Sequence, residues 1–554
     1  MTMNRRLLDS LRHGRSALEN HLIDGLVARR VSRREFMRHG SVLGISLPAL
    51  GRVASAVGLT GLSAVSRSAR AASPGGTIRV GQMVPAAAID PVKIADGGGI
   101  TVLSQVAETL VLSGADLTAK PLLAESWSPN KDGTVWTFKL RKGVKFHSGK
   151  TMNADDVVAT FDRLADPDNG SNALSALTGT LSNGGARKVD DNTVEFHLDE
   201  PNGNFPYYVS TDNYNAVILP ADYKGGFEQN MNGTGPFRLE KYTPKVGASF
   251  VRNDEYWGSK VLPDRVELGF YSDYQPQILA LQGGQIDIVP QLPVLQGVGL
   301  LNDPNVDIIA MPSTSHQQVH MRTDKAPFTD KRVRRAIALC LDRPKIVQGL
   351  MKGKAKIGND SPFAHAYPST DPKVKQREKN IAEAKQLLEA AGMKGFETTL
   401  TLEKLLEIPD YGVLIQNAVK EIGGKININQ VDQGAYYGDA VYGKSPWLDS
   451  DMGITDYGHR GVPNVFLSAP LKSDGTWNSA HFKNPKYDKL VASYIASLDL
   501  DSQRTTAGEI QNLLLDETPV LFAYFYDVLT AVKKGAAGVQ PIVMGQLILS
   551  QATL

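Results

Sequence analysis

Adjacent carboxylates such as Asp155-Asp156 could perform general acid–base work. A glycine run such as Gly97-Gly98-Gly99 could cradle a phosphate, and the single thiol, Cys340, could act as a nucleophile. Each fails on spacing or surroundings. Neighbouring helical residues point about 100° apart, so Asp155 and Asp156 do not converge on one substrate atom. Behind Asn153 they read as the acidic first turn of a helix, where the dipole favours them. The three glycines lack the GxGxxG spacing and are expected to form a flexible loop. Cys340 ends the apolar helical run Ala336-Ile337-Ala338-Leu339 and is expected in the core. There is no GxSxG elbow, HExxH pair or GxxxxGK[ST] loop, and the ten histidines show no ligand spacing on a shared helix. One cysteine allows no internal disulfide. No cofactor, metal or catalytic residue is expected.

The chain has 554 residues, 42% of them hydrophobic, which suits a folded protein of two or three domains. Lys plus Arg number 60 and Asp plus Glu 58, but residues 1–71 hold 12 Arg, no Lys and 4 acids, leaving a net of −6 on the rest. A net-acidic body gives nucleic-acid binding no electrostatic support. The basic leader, residues 1–71, carries Ser32-Arg33-Arg34-Glu35-Phe36-Met37, which matches the twin-arginine export pattern, before a moderately apolar run from Ser41 to Val65. Pro48, Arg52 and four glycines make that run a poor membrane span. Ala69-Arg70-Ala71 offers a cleavage site with no cysteine for lipid attachment, so a periplasmic, unanchored product is expected.

The elements beyond the leader suggest an α/β chain. Thr77 to Val80 reads as a strand, Ile100 to Leu110 as a helix, and Thr134 to Leu140 as a strand with Trp136, Phe138 and Leu140 on one face. Asn153 caps a helix with Val157, Val158, Phe161 and Leu164 as its stripe, and Val194 to Leu198 alternates as a strand. Val266 to Phe270 and Ile286 to Val289 read as further strands of the first domain. From about 321 helices dominate: Asp330 to Leu341, then Ile381 to Ala391 with Asn380 as cap and Glu383 at the capping-box position.

These pieces carry a resemblance. Leu123-Ala124-Glu125-Ser126-Trp127, Trp136 to Arg141, Gly143-Val144-Lys145-Phe146-His147-Ser148-Gly149 and Ala154-Asp155-Asp156-Val157-Val158 resemble the signature of family 5 extracellular solute-binding proteins. Gly233-Thr234-Gly235-Pro236-Phe237, Arg252 to Trp257, Pro327-Phe328 with Arg332 to Ala336, and Ala384 to Gly392 are similar in the same order. The resemblance implies a three-lobed periplasmic-binding-protein fold of type II with a discontinuous first lobe. Lobe I is expected at 72–113, 215–320 and 524–554, lobe II at 114–214 and lobe III at 321–523. It also implies a non-enzymatic, monomeric substrate-binding subunit that captures a small organic solute and hands it to the permease subunits of an ABC importer. The corner Gly233, Thr234, Gly235 is the expected hinge.

For the cleft, Gly453-Ile454-Thr455-Asp456-Tyr457 is similar to the stretch in which peptide-binding members place an ammonium-pairing aspartate, which puts Asp456 in that role with Thr455 beside it. Tyr436 or Tyr437 matches the region of a pocket aromatic. Gly458-His459-Arg460 replaces the family's Asp-Pro pattern, and a cationic pair there suits a carboxylate, sugar acid or phosphate on the ligand. A short peptide, or an opine or amino-acid conjugate, is the expected ligand class. The alternatives are a carboxylate-dependent hydrolase, for which Asp456 lacks an obvious partner, and a nickel-chelate binder using His459.

Overall fold

The computed structural model describes residues 5–57, 59, 75–114 and 116–554. Three sheets organise the body. The first has the strand order Val306–Met311, Val528–Lys533, Ile288–Val289, Thr77–Met83, Arg265–Tyr271, Gly247–Arg252, Phe237–Thr243. Thr77–Met83 lies at its centre, parallel to Arg265–Tyr271 from one end to the other, with Ile78 and Val80 buried. A parallel strand at a sheet centre must be apolar on its covered face, and its two neighbours come from stretches remote in sequence. Lobe I is therefore discontinuous, as expected.

The second sheet runs Ala355–Ile357, Tyr524–Tyr526, His316–Met321, Met452–Tyr457, Glu397–Glu403, Lys425–Val431, with Val520–Leu521 also paired to His316–Met321. It builds lobe III. The third sheet is lobe II, four antiparallel strands in the order Ala124–Pro129, Val135–Leu140, Thr193–His197, Ala186–Asp190. Trp136, Phe138 and Leu140 point into its core, and Phe138 meets Phe196 edge-on at 5.4 Å between ring centres. Asn153 closes a capping box with Asp156, and Cys340 is buried with its thiol donating to the Ile337 carbonyl.

The glycine run departs from the expected loop. Gly97–Val106 is a helix whose N-cap, Asp96, accepts from the Gly99 N–H at 3.0 Å. A Cβ on Gly98 would lie 2.4 Å from the Met83 carbonyl oxygen, and one on Gly99 would lie 2.3 Å from Ile94 Cδ1. Glycine here lets the helix begin flush against the end of the central strand.

The chain passes between the first and second sheets twice, at 312–315 and at 527. The corner Gly233, Thr234, Gly235 lies on neither crossing, which corrects the hinge expectation. The Gly235 N–H donates to the Val106 carbonyl at 2.9 Å, Thr234 Oγ1 donates to Glu108 Oε2 at 2.9 Å, and a Cβ on Gly233 would sit 2.1 Å from Val106 O. These glycines serve a close backbone approach, and the corner is locked.

The N-terminal segment folds as helices Arg5–Arg12, Ala17–Val27, Arg33–Val42 and Leu47–Ala56, with capping boxes at Ser16/Glu19 and Ser32/Glu35. No helix among the described residues is long and apolar enough to cross a membrane. The Ala69-Arg70-Ala71 site lies outside the described residues.

Lobe III is also tied by charge. Buried Asp360 accepts two bonds from Arg343 Nη2 at 2.8 and 2.7 Å, one from Arg377 Nη1 at 2.7 Å and one from the Phe522 N–H at 3.1 Å. Asp360→Asn keeps the shape and suits the positive φ of 47° at this position, but strands two guanidinium ions. It is expected to cost about 3–5 kcal/mol in urea unfolding.

Candidate functional site

A cavity of about 400 Å³ opens between lobes I and III. Lobe I contributes Gly97, Ile100, Tyr274, Gln291 to Val294 and Met544, while lobe III contributes Leu405 to Glu407, Asp456 and Gly458 to Arg460. Tyr526 and Leu529 line it from either side of the second crossing.

Asp456 sits near the end of strand Met452–Tyr457, where alternation turns it into the cavity and turns its neighbours away. Tyr526 Oη donates to its Oδ1 at 2.9 Å. Burial pushes this carboxyl up to about 7, the tyrosine bond opposes the rise, and the charges of Glu403 and Glu407 add to it. Both glutamates are themselves raised, chiefly by burial. Three acids thus stand on the lobe III side, only one of them marked by the sequence reading.

Arg460 lines the cavity and is held at its backbone: its N–H donates to Thr314 Oγ1 at 3.0 Å, and its carbonyl accepts from Tyr367 Oη at 2.8 Å. Among the described residues no carboxylate is recorded within salt-bridge distance of its guanidinium, which bonds to the His459 carbonyl at 3.1 Å. His459 is buried. Its Nδ1 accepts from the Thr314 N–H at 3.1 Å, so the proton sits on Nε2, 3.9 Å from Asp212 Oδ1. Burial, with Arg38 and Arg460 nearby, lowers its pKa to about 3. It stays neutral and pins the loop to the first crossing.

Three expected pocket residues lie elsewhere. Thr455 is buried on the far face of its strand, bonded to Tyr436 Oη at 3.0 Å. Tyr436 is fully buried, and Tyr437 donates to Glu403 Oε1 at 3.1 Å while packing edge-on against Trp447 at 5.2 Å. They form a layer behind Asp456, because a helix at Gln433–Tyr437 packs its aromatics inward. The aromatics that face the cavity are Tyr214, Tyr274 and Tyr526. Tyr526 was detectable only as the last member of the alternating run Tyr524-Phe525-Tyr526, and Glu407 as an acid inside an apolar stretch.

Among the described residues no cluster of three or more metal-ligating side chains occurs. The site is a cleft between two lobes with polar side chains in its lining. Residues 118–479 match the family model described as bacterial extracellular solute-binding proteins, family 5, middle part. The chain belongs to this family. Heme-binding protein A of Haemophilus influenzae is 27% identical over 430 residues, 72% of this chain and 78% of its own. Peptide transport periplasmic protein SapA of Salmonella typhimurium is 27% identical over 451 residues, 74% of this chain and 80% of its own. Among solved structures, the periplasmic binding protein DppA of Helicobacter pylori, in complex with the peptide STSA, matches with a TM-score of 0.72 at 22% identity, covering 87% of this chain and 98% of its own. As a family 5 solute-binding protein, the chain is a periplasmic substrate-binding component of an ABC importer.

The Tyr526 bond favours the ionised form of Asp456, so Tyr526→Phe should raise the Asp456 pKa further above about 7. Carboxyl-carbon NMR titration reads this. A raised carboxyl stabilises the fold below its unfolded pKa, and that contribution is lost as pH rises through about 7. Asp456→Asn should therefore flatten the decline in melting temperature between about pH 4 and 7.

Proposed function

We propose that the cleft captures a small organic solute carrying an ammonium or similar cation, and that Asp456 is its anchor. The supporting observation is that Asp456 and Glu407 both line the cavity from lobe III, with Glu403 behind them, and that burial raises all three, Asp456 to about 7, so that a ligand cation would ionise and satisfy Asp456. Arg460, with no carboxylate within salt-bridge distance among the described residues, suits an acidic group elsewhere on the same ligand. A short peptide, an opine or an amino-acid conjugate meets both requirements and fits about 400 Å³. The subunit works as a monomer, non-enzymatically, by closing lobe III on lobe I about the crossings at 312–315 and 527. Glycoside-type hydrolysis needs two acids flanking the bond, whereas Asp456 and Glu407 line the cavity from the same lobe. Nickel-chelate binding through His459 is disfavoured because the ring is buried, Nδ1 is taken by the Thr314 N–H, and no cluster of metal-ligating side chains occurs among the described residues.

We further propose that residues 1–71 direct export by the twin-arginine route. Arg33→Lys with Arg34→Lys should leave the precursor in the cytoplasm, and normal periplasmic levels would refute the route.

Mass spectrometry of co-purified cargo identifies the ligand, and calorimetry then tests the anchor. Asp456→Ala leaves a buried cation unpaired, a loss of about 2–5 kcal/mol, or roughly 30-fold to several thousand-fold in affinity. Arg460→Ala should weaken only cargo that bears an acid. If the parent protein binds the cargo and its N-acetylated form equally, the ammonium anchor is wrong. Affinity should also rise with pH up to about 7, by at most roughly tenfold per unit, as Asp456 ionises.

A further inference from the structure

The N-terminal helices lie across the seam where lobe II meets lobe III. Their own apolar core, with Leu22, Ile23, Phe36 and Leu50, takes in Leu500 from lobe III. Ser41 Oγ accepts from the Ala119 N–H at 2.9 Å, and the Val42 carbonyl accepts from Trp127 Nε1 at 3.0 Å, both on the lobe II side. On the lobe III side, Glu35 accepts from Arg504 Nη2 at 2.9 Å, Arg504 Nη1 donates to the Arg30 carbonyl at 3.0 Å, and His39 Nε2 meets the Leu498 carbonyl at 3.0 Å.

Arg38 joins the two sides. It is 3% exposed. Its Nη2 donates to the Gly461 carbonyl at 2.6 Å and its Nη1 to the Ala366 carbonyl, both in lobe III, while Nε reaches Tyr207 Oη of lobe II at 3.4 Å. The guanidinium carbon lies 5.6 Å from the centre of the Tyr367 ring. Among the described residues no carboxylate is recorded within salt-bridge distance of Arg38, so this is a guanidinium held in a socket of carbonyls and tyrosines. Gly461 directly follows Arg460, which places the socket against the back of the cleft.

Bridging lobe II to lobe III also bridges lobe I to lobe III. Ser171 Oγ donates to the Val92 carbonyl at 3.1 Å, the Ala124 N–H to the Leu110 carbonyl at 2.9 Å, and the His147 N–H to the Gly233 carbonyl at 2.8 Å, each from lobe II to lobe I. Lobe II therefore moves with lobe I. A clasp on its outer side restrains the same opening that admits cargo.

We propose that residues 16–57 are a clasp that holds the clam shut in the unprocessed chain, with Arg38 as its pin, and that removing the segment frees the cleft for exchange. The proposal rests on the reading of the cleft as a cargo site and of the leader as a removable segment, and it adds a regulatory step to both.

The test uses the full chain with a protease site placed within 60–74, beyond the helices and before the first strand. Solution scattering and amide exchange are measured without ligand on the uncut chain, on Arg38→Gln and Arg38→Lys, and on cut protein after the segment has been removed. Arg38→Gln and removal should each increase the radius of gyration and speed exchange at 207–212 and 459–462 by about tenfold or more, with Arg38→Lys intermediate. Identical scattering and exchange in all four forms overturns the clasp. If Arg38→Gln also exposes the strand His316–Met321, the variant has loosened the body, and the cut protein, which retains every strand, decides alone. Native mass spectrometry separates the two readings: an opened body that never retains cargo refutes the cleft assignment and leaves the clasp standing.

Discussion

The two short crossings between lobes I and III constrain everything else in the cleft, because they carry its anchors as well as its motion. The crossings are bonded to each other: Ser313 Oγ donates to the Tyr526 carbonyl at 2.5 Å, and the Tyr526 N–H donates to the Ser315 carbonyl at 3.0 Å. From this pair, Tyr526 holds the Asp456 carboxyl while Thr314 holds His459 and the Arg460 backbone. A rotation of lobe III that shifts these strands re-aims the acid and the guanidinium together. The cavity lining and the crossings share one set of hydrogen bonds, and within it a buried neutral imidazole ties the loop at 458–460 to the first crossing.

Electrostatics then sets what the cleft favours. Burial raises Asp456, Glu403 and Glu407 alike, and the charges of the two glutamates raise Asp456 further, so that Asp456 holds its proton up to about pH 7. On the proposed reading a cation arriving from solvent exchanges for the Asp456 proton. Attraction would then be offset partly by proton release, which would make capture sensitive to the acidity of the compartment and give a cargo charge a selective value that a neutral pocket lacks.

Much of the architecture was legible because it depends on local rules. The period-two alternation at Trp136, Phe138 and Leu140 and the caps at Asn153 and Asn380 mean the same thing in any fold. The run Leu123 to Val158 carried the family. What was not legible depends on partners remote in sequence. Glycine at 233 and 235 signals freedom or close approach equally well, and only the backbone of Val106 decides for the latter. The strand His316–Met321 is polar in sequence yet buried at all six positions, because it is central in its sheet and its polar groups face other lobe III elements. Tyr436 and Tyr437 share a short helix with no periodicity to say which face is inward, and Tyr526 becomes a site residue only through a strand 70 positions away.

The central strand of lobe I has a consequence for how the molecule is made. Thr77–Met83 is synthesised first among the strands, yet its partners at Arg265–Tyr271 and Ile288–Val289, and the Val528–Lys533 strand that closes over the latter, follow much later. The sheets of lobes II and III are each built from one continuous stretch of chain. At about 5–20 residues per second, on the order of a minute separates the first strand of lobe I from the last. Lobe II can condense while both edges of Thr77–Met83 wait, and lobe III while Ile288–Val289 and Val306–Met311 still lack the Val528–Lys533 strand between them. A chain truncated before Val528 would keep the sheets of lobes II and III and leave the lobe I sheet split at that point.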